Sequence, residues 1–144
     1  MDYKEVKINE RTWRLGKFDA RTGSKIIKKL TPVVASFLGG QKDLKVEESN
    51  IDFMGIITAI SELKDEDFDY IRDSSLKVVH ELLPAGYAPV INENGSYGVM
   101  NIEYDTSLVL GLTAHALMFN VSGFLAGTRL GSIIEQKLDT FQHS

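Results

Sequence analysis

The chain has 144 residues, 43% hydrophobic and 25% charged, the proportions of an ordinary soluble domain long enough to bury a core as one unit, 1–144. It contains no cysteine, which excludes disulfides and any zinc or iron–sulfur site built on thiolates. The net charge of −4 is unevenly placed: residues 1–30 hold nine Lys/Arg against four Asp/Glu, a balance of +5, and the remainder seven against sixteen, a balance of −9.

The opening "MDYKEVKINERTW" lacks the apolar run of a signal peptide. Two β-prone runs, around Val6–Ile8 and Thr12–Leu15, predict a short hairpin turning at Asn9-Glu10, and Gly16 breaks the second run. Asp19 is placed to cap a helix, its carboxylate accepting backbone N–H groups of the first turn. Ile26, Ile27, Leu30, Val34, Phe37 and Leu38 then recur at three- and four-residue spacing, the pattern of an amphipathic helix. Pro32 removes a donor and crowds the preceding turn, so the helix is expected to break, with Thr31 capping a second one that starts at Pro32. Gly39-Gly40 predicts the end of that helix, and "QKDLKVEES" a polar loop.

"NIDFMGIITAISEL" predicts a short helix with Ile51, Phe53 or Met54, Ile57, Ile60 and Leu63 inward. "KDEDFDYIRDSSLKVVHELL" predicts another, its acidic residues at the end where the helix dipole favours negative charge. Phe68, Ile71, Ser75, Val78, Val79 and Leu82 form its stripe, with Pro84 and Gly86 as terminators. Asn94-Gly95, flanked by short apolar runs, predicts a second hairpin over about 88–103. Asp105 should cap the uncharged stretch that follows, helical from Thr106 to about Val121. A last helix is expected from Phe124 to Leu138, with Gly123, Gly127 and Gly131 at four-residue spacing as close-packing positions. The fold class is therefore mainly α (α+β), a helical domain with a short N-terminal β-hairpin and a second small hairpin before the C-terminal helices.

The stretch from Thr106 to Thr128 is uncharged and long enough to span a bilayer. Thr113, His115, Asn120, Ser122 and the glycines favour a buried helix instead, so no membrane partner is expected.

Catalytic chemistry finds little support. Six residues separate Gly16 from Gly23, and Ser24 precedes Lys25, so the Gly-Ser-Lys triplet lacks the order of a phosphate-binding P-loop. His80, His115 and His143 stand apart without metal-ligand spacing: His80 reads as a helix-face residue, His115 as a hydrogen-bonded core residue and His143 as part of a tail. The "DEDFD" run at 65–69 lacks the glycine and closing Glu of a calcium loop. No catalytic, metal or cofactor residue is assigned. Nucleic-acid binding has the basic N-terminal segment, with Trp13 and Phe18 as stacking groups, in its favour, but a pI near 5.4 and no motif weigh against it. The charge asymmetry instead predicts self-association, with Arg21, Lys25, Lys28 and Lys29 meeting Asp65, Glu66, Asp67 and Asp69 of a neighbouring copy.

The stretch "RTWRLGKFDARTGSKIIKKL" resembles the N-terminal signature of tail assembly chaperones of long-tailed phages and prophages. The matching positions are Trp13, Gly16, Phe18, Asp19, Ala20, Arg21, Thr22 and Gly23, and the likeness extends architecturally to "SLVLGLTAHALMFN". That resemblance implies a non-enzymatic protein without cofactors. Such chaperones coat the tape measure protein, recruit tail tube subunits, work in the cytoplasm of the infected or lysogenic host and are absent from the mature virion. Many come in two lengths through a ribosomal frameshift, and a chain ending at Ser144 would correspond to the shorter. The alternative is a structural virion component, a minor tail or head–tail connector subunit.

Overall fold

A computed structural model describes residues 3–38 and 53–127 of the chain. In chain order it contains β1 (Tyr3–Ile8), β2 (Arg11–Gly16), α1 (Ala20–Leu38), α2 (Phe53–Ser61), α3 (Asp65–Lys77), β3 (Val79–Leu83), β4 (Gly86–Pro89) and α4 (Thr106–Gly127). The predicted Gly39-Gly40 stop, the polar loop, Ile51, Gly131, His143 and the helix beyond Gly127 lie outside the described residues, as do the side chains of Val34, Phe37 and Leu38 and the surroundings of Gly127.

The N-terminal hairpin forms where the sequence placed it. Val6 pairs with Trp13 and Ile8 with Arg11, and Asn9 and Glu10 turn the chain with φ of 55° and 62°. Two successive left-handed residues match the twist of a two-residue hairpin. The hairpin does not stand alone, however. It is half of a four-stranded antiparallel sheet in the order β1-β2-β3-β4.

The other half corrects two sequence expectations. The helix starting at Asp65 stops at Lys77, and Val79–Leu83 is a strand, with Leu15 opposite Val79 and Trp13 opposite Glu81. Val78 and Val79 are β-branched and stiff, which favours the extended pairing once β2 lies alongside. His80 is therefore a strand residue. The second hairpin is β3–β4, turning at Pro84-Ala85 between Leu83 and Gly86. Asn94-Gly95 does turn the chain, but closes only the isolated bridge between Ile91 and Tyr97.

A third correction concerns α1, which runs unbroken through Pro32. Thr31 does not cap a new helix; its hydroxyl donates back to the Ile27 carbonyl at 2.6 Å. Burial of Ile26 and Leu30 holds the two turns before Pro32 against the helical core, so the helix continues despite the lost backbone bond.

α4 organises the interior. Leu108, Leu112 and Ala116 pack on Trp13, Leu15 and Val79 of the sheet. Ala114 and Leu117 instead join Ile26, Leu30, Ile56, Ile60 and Ile71 from α1, α2 and α3. A helix covered by a sheet on one side and helices on the other must be apolar around most of its girth, which accounts for the uncharged stretch. No helix among the described residues is long and apolar enough to cross a membrane. On α2, Phe53 packs inward while Met54 is 65% exposed, which decides between the two.

Candidate functional site

The residues that carry the family-like signature converge on the junction between β2, the start of α1 and the second half of α4. Trp13 is fully buried, its indole N–H directed at the Ile8 carbonyl at 3.4 Å and its ring under the Arg11 guanidinium at 4.7 Å. It is a core anchor, so it offers no stacking surface to a nucleic acid. Gly16 ends β2 where a Cβ would sit 3.0 Å from the Val78 carbonyl oxygen, so the two backbones approach closely because no side chain intervenes. Phe18 is half-buried against the helical core.

Asp19 caps α1 as expected. Its carboxylate accepts the Thr22 N–H and the Thr22 hydroxyl, each at 2.9 Å, and these bonds hold its pKa below the usual aspartate range. Ala20 and Arg21 are exposed in the first turn, and a Cβ on Gly23 would meet Phe18 at an ordinary 3.6 Å.

A residue that the sequence reading did not single out as functional locks this junction. Asn120 of α4 accepts the Phe18 N–H at 2.9 Å and donates to the Gly16 carbonyl at 3.0 Å and the Ala116 carbonyl at 2.9 Å. One amide thus satisfies the backbone on both sides of Lys17, where the chain leaves the sheet and has no ladder partner. Its signal was a lone carboxamide in an otherwise apolar helix. Beside this clasp runs a groove of about 440 Å³, walled by Phe18, Gly23 and Ile27 on one side and Phe119, Val121 and Gly123 on the other. Among the described residues no heavy atom comes within 4 Å of a Cβ built on Gly123, so that glycine lies open to the groove and packs closely against none of them.

The charged residues distribute differently from the motif. Lys29 of α1 pairs with Asp67 of α3 within the chain at 2.7 Å, and Lys25 and Lys29 lie 5.7 and 5.4 Å from the Tyr70 ring. Arg21, Lys25 and Lys28 are exposed, as are Asp65, Glu66 and Asp69, with Asp69 3.3 Å from Arg72. The geometry thus brings one member of each charged set together inside a single copy.

A second surface lies on the sheet face turned away from α4. Arg14 stacks 3.8 Å from the Tyr87 ring and 5.5 Å from the Tyr3 ring, and the Tyr87 hydroxyl donates to Glu5 at 3.0 Å. That bond to a carboxylate holds the Tyr87 hydroxyl above its usual pKa. Partial burial, then the neighbouring Arg14 charge, keeps His80 below the usual histidine range. Arg14 and His80, with Tyr3, Lys17 and Lys77, line a depression of about 380 Å³. His115 is half-buried against Phe53, ring centroids 4.9 Å apart, and burial followed by the Lys4 charge lowers its pKa. Among the described residues no group of three or more His, Asp or Glu is placed to hold a metal ion.

Comparison with known proteins decides what these surfaces belong to. A family model described as phage tail assembly chaperone protein, TAC, matches residues 9–131. The chain belongs to that family. No curated protein and no solved structure matches it. In this tail assembly chaperone the matched span begins at the β1–β2 turn and takes in β2, the motif junction and α4, while Tyr3 and Glu5 of the second surface precede it.

Proposed function

We propose that this tail assembly chaperone is a non-enzymatic factor that holds the tape measure protein in solution and gathers tail tube subunits onto it. It acts in many copies in the host cytoplasm and leaves before the virion is mature. The observation that carries this reading is the apolar groove at the family motif. A long helical client exposes apolar faces that would otherwise aggregate, and a groove between two helices accepts the apolar ridge of a third. Each contact is small, but many copies along one long client bind with the avidity of repetition.

The test is co-expression with the tape measure protein. The soluble yield of that protein should rise, and the two should co-purify. Ile27→Glu, which puts a charge on the groove wall, and Gly123→Leu, which fills the open position, should each reduce co-purification while the far-UV spectrum stays unchanged. Unchanged solubility and no co-purification, with both partners well expressed, would refute the chaperone role. The protein found stoichiometrically in purified virions would favour the structural tail component instead.

A further inference from the structure

We infer that the depression on the open sheet face is the docking site for a second copy of this chain, which inserts the acidic start of its α3. The contact is head-to-tail, and it rests on the many-copy reading proposed above.

The argument begins with which charges are already engaged. At the start of α3, Lys64 precedes Asp65 as the N-cap residue without forming an ion pair among the described residues, and Lys29 of α1 already holds Asp67. The α1 lysines therefore lie beside their own acidic cluster. Among the described residues Asp65 and Glu66 make no ion pair, and neither do Lys17 and Lys77 in the depression. All four side chains are exposed.

Asp65 and Lys77 are the first and last residues of the same helix. At 1.5 Å per residue, about 18 Å of α3 separates the free acids from the free bases. A rigid helix keeps them from meeting within one chain, and about 8 Å of screening at physiological salt leaves them almost independent. Between two copies they match. Lys17 and Lys77, with the Arg14 guanidinium behind them, face Asp65 and Glu66 of the neighbour. Tyr3, 49% exposed at the rim, adds apolar area to a contact that charge pairs alone would leave weak.

The occupant follows from the same charges. Residues beyond 30 carry a balance of −9, so a second copy brings an acidic surface to a basic pocket. A contact that joins one end of α3 to the other end in the next copy is heterologous, and it propagates into a ring or a helical filament. Either would set chaperone copies in a repeating row.

Sedimentation velocity tests the contact with two neutralised variants, K17Q/K77Q and D65N/E66Q. The wild type should self-associate at about 0.05 M NaCl and lose that association at about 0.5 M. Each variant alone should associate about tenfold more weakly, the scale of losing two exposed pairs. Their equimolar mixture should form a one-to-one dimer, because one variant retains the pocket and the other the acidic helix start. A monomeric wild type, an oligomer that both variants leave unchanged, or a mixture that stays monomeric would each overturn the inference. A wild type that is monomeric yet still keeps the tape measure protein soluble would overturn this contact and leave the proposed function standing.

Discussion

Removing the charge of Glu81 probes the link between the sheet and the loop before α4. Glu81 is 5% exposed on the inner side of β3, opposite Trp13, and its two oxygens accept the Arg11 Nε–H at 2.6 Å and Nη2–H at 2.8 Å. The same guanidinium donates to the Met100 carbonyl at 3.3 Å, and the pairing with Glu81 raises its pKa. Glu81→Gln keeps the shape but replaces one acceptor with a donor that faces a donor. Breaking a buried pair costs about 3–5 kcal/mol when the partner charge is trapped. The Arg11 side chain is 27% exposed and can turn toward water, so the cost falls to or somewhat below the lower end, about 2–3 kcal/mol. The double change R11M/E81L leaves no charge behind and should lie within about 1 kcal/mol of the wild type. The assay is urea unfolding followed by far-UV circular dichroism and by the fluorescence of Trp13, the chain's single tryptophan, which lies under Arg11. A Glu81→Gln cost below about 0.5 kcal/mol, or a double variant as unstable as the two single changes added, would refute the coupling.

Trp13→Ala should cost about 3–5 kcal/mol, because a fully buried indole is removed from the core between the sheet and α4. A melting temperature unchanged by Trp13→Ala would contradict the core assignment. Asp19→Ala should lower the melting temperature at neutral pH. Because the folded carboxyl titrates below its unfolded value, the cap contributes fully above about pH 4, and its contribution is lost as pH falls through the lower folded pKa. Thermal melts from pH 7 down to about pH 2 should therefore show the wild-type advantage over Asp19→Ala narrowing, and a constant gap would contradict it. Gly98→Ala should destabilise, since a Cβ there overlaps the Pro89 carbonyl oxygen, whereas Gly111→Ala and Gly123→Ala should each stabilise α4 by about 0.5–1 kcal/mol. Chemical denaturation of the three variants checks this contrast.

Local chemistry made the N-terminal hairpin and two helix starts legible. The hairpin at Asn9-Glu10 and the caps at Asp19 and Asp105 depend on neighbours a few residues away, and the Leu108 N–H does bond to Asp105 at 3.0 Å. The motif at 13–23 was readable as a unit because its residues act within a single turn and helix start, and the family match covers it. The groove beside it was not readable, because its second wall comes from α4, about a hundred residues later.

The amino-acid sequence by itself determined the α+β class, the hairpin, the amphipathic helix after Asp19 and the buried uncharged helix, each from periodicity or from contacts between near neighbours in the chain. The family showed through the resemblance of the motif at 13–23 to a known signature. The tertiary structure decided that Val79–Leu83 is a strand, because its 75–82 stripe fits a helix equally well until β2, sixty-six residues before it, supplies the hydrogen bonds. It also decided that α1 passes through Pro32, where packed Ile26 and Leu30 outweigh one lost bond. Glu81 shows the common cause: a carboxylate on an inward strand position hides the two-residue alternation, and only Arg11, seventy residues away, makes that position possible.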